Sequence, residues 1–312
     1  MPTTKTRDSV QLYYEIHGNG PLALIFMHGW AGTGHYFNGT IEHLELTGLR
    51  AITMDLRGHG DSDKPEQGYS DEQLAVDVLT VAEAARADAF VLVGFSMSGR
   101  FAQYVPLLAP DRVRGLVLVS GCPAAPIPLP AETRRDWVAR AGQPERLAEV
   151  TAMFVTRPVE AAVLDRFGHD AAKASSVALD ATLGLVVEAS FADRLQEIRV
   201  PALVVGGIHD SLITPDVLRQ AVAAPLPQGR CVFLNSNHEI PLEQPRELAA
   251  VLGAFTAGIV SNREDRRGSG RGIRARARHR CTRASTDDSA SWACAPRESG
   301  GAVRRCIPVE TG

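Results

Sequence analysis

The 312-residue sequence predicts an α/β fold, a mostly parallel sheet flanked by helices with an inserted helical lid, on three observations. Short runs rich in β-branched residues alternate with longer helical runs, the rhythm of strand–helix–strand units. The runs "LALIF" and "FVLV" are apolar at consecutive positions, as strands covered on both faces must be. From the proline-rich "CPAAPIPLP" at 122–130 the rhythm stops, and only helical patterns follow as far as 190.

In order, "VQLYYEI" (10–16) reads as a strand, "GNGP" as a turn and "LALIFMH" (22–28) as a buried strand. A helix over 35–46, the strand "RAITMD" (50–55) and a helix over 70–86 come next. The strand "AFVLVGF" (89–95), a helix through 108 and the strand "VRGLVLVS" (113–120) continue the alternation. Four helical patterns follow: "AETRRDWVARAG", "PERLAEVTAMF", "PVEAAVLDRFG" and "DAAKASSVALDATLGLVVEAS". Sheet signals return with "RVPALVVGG" (199–207), a helix over 214–223, "GRCVFLN" (229–235) and a last helix over 242–257. The expected division is therefore a core over 1–121 and 196–260, with a helical lid over 122–195 inserted between its two parts.

Composition divides the chain differently. From Ser261 onward 12 Arg stand against 6 acidic residues, so the last 52 residues carry +6, while 21 basic and 30 acidic residues give the first 260 a net of −9. The segment over 261–312 has hardly any large apolar residue to offset its ordering entropy and is expected to be disordered. An arginine-rich arm for nucleic acid and an incidental stretch without a role both fit it; no nucleic-acid partner is expected for the core. Elsewhere, no run approaches the roughly 20 apolar residues of a membrane span. The start "MPTTKTRDSVQL" lacks a signal-peptide core, so no membrane partner is expected and a cytoplasmic location is the default. Cys122 and Cys231 each sit in an apolar segment and read as buried thiols rather than a disulfide framework. Oligomeric state is open.

The chemistry centres on "VLVGFSMSGR" (91–100), where Ser96 follows a buried strand and precedes a helix. A sharp strand-to-helix turn there holds a hydroxyl at the carboxyl edge of the sheet, the binding crevice of open α/β sheets. A serine needs an imidazole to take its proton and a carboxylate to orient that imidazole. "LVVGGIHDSLITP" places Asp210 after one late strand and "LNSNHEIPLEQP" places His238 after the next, while "GCPAAP" after Ser120 offers no acid. A carbonyl turning tetrahedral also needs two aimed N–H donors, and by position these are the backbone groups of Trp30, in "FMHGW", and Met97. Trp30 and Phe95 are the expected substrate contacts, and His28 is expected to be structural. No His/Cys cluster has metal-ligand spacing, and no phosphate loop is present, so neither metal nor cofactor is expected.

Over 9–258 the chain resembles the α/β-hydrolase superfamily, in its lidded esterase, lactonase and haloperoxidase-like branch: "HGW", "DLRGHGDSDKP", "GFSMSG", "HDSLITP" and "NHEIPLEQP" stand in the family order. The resemblance implies that "DLRGHGDSDKP" is a structural loop whose Asp55 is not the triad acid. It implies a serine hydrolase that cleaves a small-molecule ester or lactone through an acyl-enzyme on Ser96. Two departures stand out: Ser98 for the second glycine of the turn, and Asn237 where the family often has glycine. "GFSMSGR", including Arg100, is similar to the menaquinone-pathway lyase. A lyase or carbon–carbon hydrolase would need a cation for a substrate carboxylate, for which Arg134, Arg135 and Arg140 are candidates. A receptor that keeps the triad as a binding pocket is the third reading.

Overall fold

The structure, a computed structural model, describes residues 2–276. The chain falls into two units, Met1–Asp265 and Arg266–Gly312, and of the second only helical backbone up to Arg276 is described. Residues 277–312, most of the segment expected to be disordered, lie outside the described residues.

Eight strands run β1 (Thr3–Lys5), β2 (Gln11–Gly18), β3 (Leu22–Met27), β4 (Leu49–Met54), β5 (Phe90–Phe95), β6 (Val113–Val119), β7 (Ala202–Gly207) and β8 (Gly229–Leu234). Their order across the sheet is β1-β2-β4-β3-β5-β6-β7-β8. All neighbours from β4 to β8 are parallel; β2 runs antiparallel to β4, and β1 to β2. This is the mostly parallel α/β sheet that the alternation predicts. The chain leaves β3 toward β4 on one side and returns to β5 on the other. At that reversal the loops after β3 and β5 part above the carboxyl edge and open a crevice.

Strand side chains alternate between two apolar layers. Ala23, Ile25 and Met27 of β3, with Phe90 and Leu92 of β5, join one core with Leu74 and Val78 of α2 (after α1, Asn38–His43; α2 is Asp71–Ala84). Leu22, Leu24 and Phe26, with Val91, Val93 and Phe95, join the other, where Phe37, Ile41 and Leu252 pack. Consecutive apolar residues are needed because each face has its own core, and full burial of one such side chain is worth roughly 1.5–3 kcal/mol. Helix α3 (Met97–Leu108) follows β5 directly. Between β6 and β7 lie α4 (Ala131–Val138), α5 (Pro144–Ala152), α6 (Ala161–Ala171) and α7 (Ser176–Glu188), one for each helical pattern.

Three stretches differ from expectation. The 35–46 helix is a 3-10 turn, Gly34–Phe37, and the single short α1, because Gly34, Gly39 and Thr40 are weak helix formers. The 214–223 helix is the one-turn α8 (Pro215–Val217) continued by a π-helical turn, Leu218–Ala223. The last helix divides into α9 (Ile240–Glu243) and α10 (Pro245–Arg276), since Pro245 lacks an N–H to continue α9 but starts a new helix well. The backbone of α10 is thus helical past 257, where the sequence pattern ends it. Strand β1, three residues long, has no signal in the pattern.

Candidate active site

Ser96 occupies the turn between β5 and α3 at φ 51° and ψ −120°, backbone that a residue with a Cβ adopts only under constraint. The constraint is visible. Its N–H donates to Val119 O at 2.9 Å, and its carbonyl accepts from Gly99 N at 2.9 Å and Cys122 N at 2.8 Å. The turn is also tightly packed, since a Cβ on Gly94 would stand 2.5 Å from Ser98 O. Ser98 itself is fully buried, and its hydroxyl donates to the carbonyl oxygen of His28, tying the turn to the end of β3. A Cβ on the next residue, Gly99, would collide with Gly121 Cα. The close approach therefore falls on Gly94 and Gly99, and the serine at 98 is accommodated with a hydrogen bond.

His238 and Asp210 arrive from the loops after β8 and β7. His238 Nδ1 lies 2.9 Å from Asp210 Oδ2 and Nε2 lies 2.8 Å from Ser96 Oγ. A carboxylate only accepts, so Nδ1 carries the proton, and Nε2 is left to accept from the serine hydroxyl. Asp210 is held in turn, because its Oδ1 accepts from Leu212 N at 2.9 Å and Ile213 N at 2.8 Å. The three residues named from the sequence are brought together.

Asn237, the second departure, ties the two loops. Its Oδ1 accepts from Ser211 N at 3.2 Å, beside Asp210, and from His238 N at 2.9 Å, a link that glycine could not make. Glu243 holds the same turn, accepting from Ser236 Oγ and Asn237 N through Oε1, and reaches the segment between α5 and α6 through Oε2, where Thr156 N and Arg157 N donate.

Trp30 and Met97 both line the cavity above Ser96. Met97 is the first residue of α3, where an N–H has no intrahelical partner, and neither backbone N–H donates to a backbone carbonyl among the described residues. The Trp30 indole donates to Leu179 O of α7 at 3.0 Å and lies 5.6 Å from the Trp137 ring of α4. Phe154 continues this wall, 6.0 Å from both Trp137 and His238. Phe95 backs the histidine at 5.3 Å and stacks on Tyr36. Sequence reasoning missed Trp137, in the polar-biased α4 with no buried residue, and Phe154, in the turn that follows α5. Glu239, also unremarked in the sequence, lines the cavity beside His238.

Apolar and aromatic side chains make most of the cavity wall. No lysine or arginine lines it among the described residues. Arg100 is buried against Asp71 and the Ala124 carbonyl, Arg134 pairs with Asp180 and Glu188, and Arg140 with Asp136 and Glu149; Arg135 is not in the wall either. Cys122 is in the wall, but burial pushes its thiol up to about 12, away from thiolate chemistry. Among the described residues no three His, Cys, Asp or Glu gather as metal ligands, and no helix is long and apolar enough to cross a membrane.

A serine on a strained strand-to-helix turn, at the switch point of a parallel sheet, with His and Asp from the last two strand loops, defines an α/β-hydrolase type of fold and site. The comparisons agree: the family model for the alpha/beta hydrolase fold matches residues 23–167. A putative non-heme chloroperoxidase of Synechocystis is 31% identical over 238 residues, 70% of this chain and 83% of that protein. The AB hydrolase superfamily protein YisY of Bacillus subtilis is 27% identical over 262 residues, 81% of this chain and 97% of that one. Among solved structures, a putative aryl esterase from Burkholderia cenocepacia superposes with a TM-score of 0.74 at 27% identity, covering 83% of this chain and 99% of its own. The chain belongs to the α/β-hydrolase family.

Proposed function

We propose that the protein is a serine hydrolase that cleaves an uncharged carboxylic ester or lactone through an acyl-enzyme on Ser96. The observation that carries this reading is the unbroken line of hydrogen bonds from Ser96 Oγ through His238 to Asp210, 2.8 and 2.9 Å long, at the wall of an apolar cavity. The Ser96 hydroxyl attacks the carbonyl carbon as His238 Nε2 takes its proton, and the Asp210 carboxylate stabilises the imidazolium. The N–H groups of Trp30 and Met97 receive the oxyanion, with the N-terminus of α3 adding positive potential. His238 then protonates the leaving alcohol, and a water activated by the same imidazole releases the acid.

Helices α4–α7 act as a lid over this reaction. Trp137, Val150, Phe167 and Leu183 bring an apolar wall from each of the four. The absence of a cation from the described wall favours an uncharged substrate over the carboxylate-bearing substrates of the lyase or carbon–carbon hydrolase reading. The ester reading is tested with purified protein on 4-nitrophenyl acetate and short lactones, together with covalent labelling by a fluorophosphonate. Label on Ser96, lost in Ser96→Ala, supports it. Turnover that survives Ser96→Ala overturns it, and a wild-type protein that binds such esters without hydrolysing them supports a receptor instead.

A further inference from the structure

One buried carboxyl in the cavity wall is left without a partner among the described residues. Glu239 is 6% exposed and lines the cavity next to His238; its Oε2 is buried, and no hydrogen bond or ion pair reaches its carboxyl among the described residues. The backbone gives it no way out, because the Glu239 carbonyl accepts from Leu242 N and Glu243 N, both at 2.9 Å, in the turn of α9. Its acidic neighbour is already engaged: Glu243 spends one oxygen on Ser236 and Asn237 and the other on Thr156 and Arg157. A buried polar group left unmatched destabilises the fold, so an apolar residue would suit this place better if packing alone decided it. No cation in the described wall offsets a carboxylate here.

We infer that Glu239 is a specificity-determining residue, whose carboxyl is the polar contact for a second oxygen of the substrate, beyond the scissile carbonyl. The inference rests on the ester-hydrolase reading and deepens it. Burial, reinforced by the Glu243 charge, holds the Glu239 carboxyl well above the usual carboxylate range, the direction that favours its neutral form. A neutral carboxylic acid has one O–H to donate, and an ether, keto or ring oxygen is the matching acceptor in an uncharged ester or lactone. A purely aliphatic substrate leaves that donor unmatched, and a carboxylate-bearing one places a second acid in a wall that holds no described cation. The class selected is an uncharged ester with an additional acceptor oxygen.

The experiment compares isosteric substrate pairs in wild type, Glu239→Gln and Glu239→Leu. 4-Nitrophenyl methoxyacetate against 4-nitrophenyl butyrate probes an oxygen on the acyl side, and 2-methoxyethyl butyrate against butyl butyrate probes one on the alcohol side. Intrinsic reactivity cancels when the ether-to-alkyl ratio of kcat/KM is compared between variants. In at least one pair the ratio should fall about tenfold in Glu239→Leu, the size of one lost hydrogen bond, and stay within about threefold in Glu239→Gln, which keeps a donor. Equal ratios in all three proteins overturn the inference, as does a fall in Glu239→Gln as large as in Glu239→Leu. Should Glu239→Leu not fold, Glu239→Met, close to Gln in length but without a donor, takes its place in the same comparison, and a ratio equal to that of wild type overturns the inference. Failure of the wild type to hydrolyse any of the four esters overturns the ester reading itself, a different result from hydrolysis at a constant ratio.

Discussion

His28 and His238 are both buried at the carboxyl edge of the sheet, the first after β3 and the second after β8, yet both ring partners differ between them. His28 Nδ1–H donates to the Gly29 carbonyl at 2.7 Å, and Nε2 accepts from Leu56 N at 3.0 Å, so backbone satisfies both ring nitrogens. Burial pushes it down to about 4, and the neighbouring His59 down to about 3. His238 has Asp210 on one nitrogen and the Ser96 hydroxyl on the other. Burial alone makes an inert neutral imidazole that joins two loops, whereas on the proposed mechanism a carboxylate opposite a hydroxyl makes a base. The aspartates repeat the lesson. Asp55 spends its oxygens on Gly34 N and Asp61 N, 2.7 and 2.8 Å away, while Asp210 puts one oxygen on backbone and keeps the other for the histidine.

The strongest way to break this contrast is to remove the base or its hydroxyl. On the proposed mechanism, Ser96→Ala and His238→Ala should each lower ester turnover by roughly 10⁴-fold or more with unchanged thermal unfolding, and the double variant should be no worse than either alone. Additive losses would show that the two do not act as a unit. Asp210→Asn against Asp55→Asn separates the aspartates. The first should cost roughly 10³–10⁴-fold in kcat, by favouring the wrong imidazole tautomer. Asp55→Asn turns an amide N–H toward one of two backbone donors, so it should cost about 1–3 kcal/mol of stability and less than about tenfold in kcat. Equal kinetic losses would erase the distinction.

The acid side of the stability profile tests the inert pair. His28 and His59 have folded values below the ordinary imidazole value, so the unfolded chain takes up protons first. Their contribution is complete above about pH 6.5 and is lost as pH falls toward their folded values. Denaturant unfolding between about pH 7 and about pH 5 should show stability falling, and His59→Leu should flatten that slope. An unchanged slope would mean that these rings are not held neutral by burial. Glu239 acts in the opposite sense. Its folded value is raised, so the stability it contributes is present below the usual carboxylate range and is lost as pH climbs toward that folded value.

The sheet and the three proposed reacting residues were legible because each depends on local signals: consecutive apolar runs, a serine between strand and helix, and loops after identifiable strands. What escaped depends on contacts between distant segments. Nothing in "RRDWV" indicates that Trp137 meets Trp30, and nothing in "NHEIP" separates Glu239, unpartnered in the cavity wall, from an exposed acid. Asn237 was visible as a departure, but its role needs the Asp210 loop beside it, which the sequence places 26 residues away. The short α1 and the split before α10 were lost for a different reason: Gly39 and Pro245 break patterns whose apolar period continues across them.

The smallest expected effect lies in the turn itself, at Ser98. Its hydroxyl bridges to the His28 carbonyl, so it joins the structural histidine's strand to the turn that carries Ser96. Replacing Ser98 with glycine removes that bridge and adds freedom at the second position of α3, which costs about 1 kcal/mol in a helix interior and less at its first turn. The Ser96 backbone is still held by Val119, Gly99 and Cys122, so the proposed nucleophile should keep its place. Turnover in Ser98→Gly should therefore stay within about tenfold of wild type, at most roughly 1.4 kcal/mol on the barrier. Ser98→Leu should do far more damage, because position 98 is fully buried and its backbone oxygen packs against Gly94. Measured on one ester beside Ser96→Ala, the glycine variant gives the sharpest assignment. If it abolishes turnover while Ser96→Ala spares it, the reacting hydroxyl is that of Ser98, and the contrast between His28 and His238 must be redrawn around the histidine that Ser98 touches.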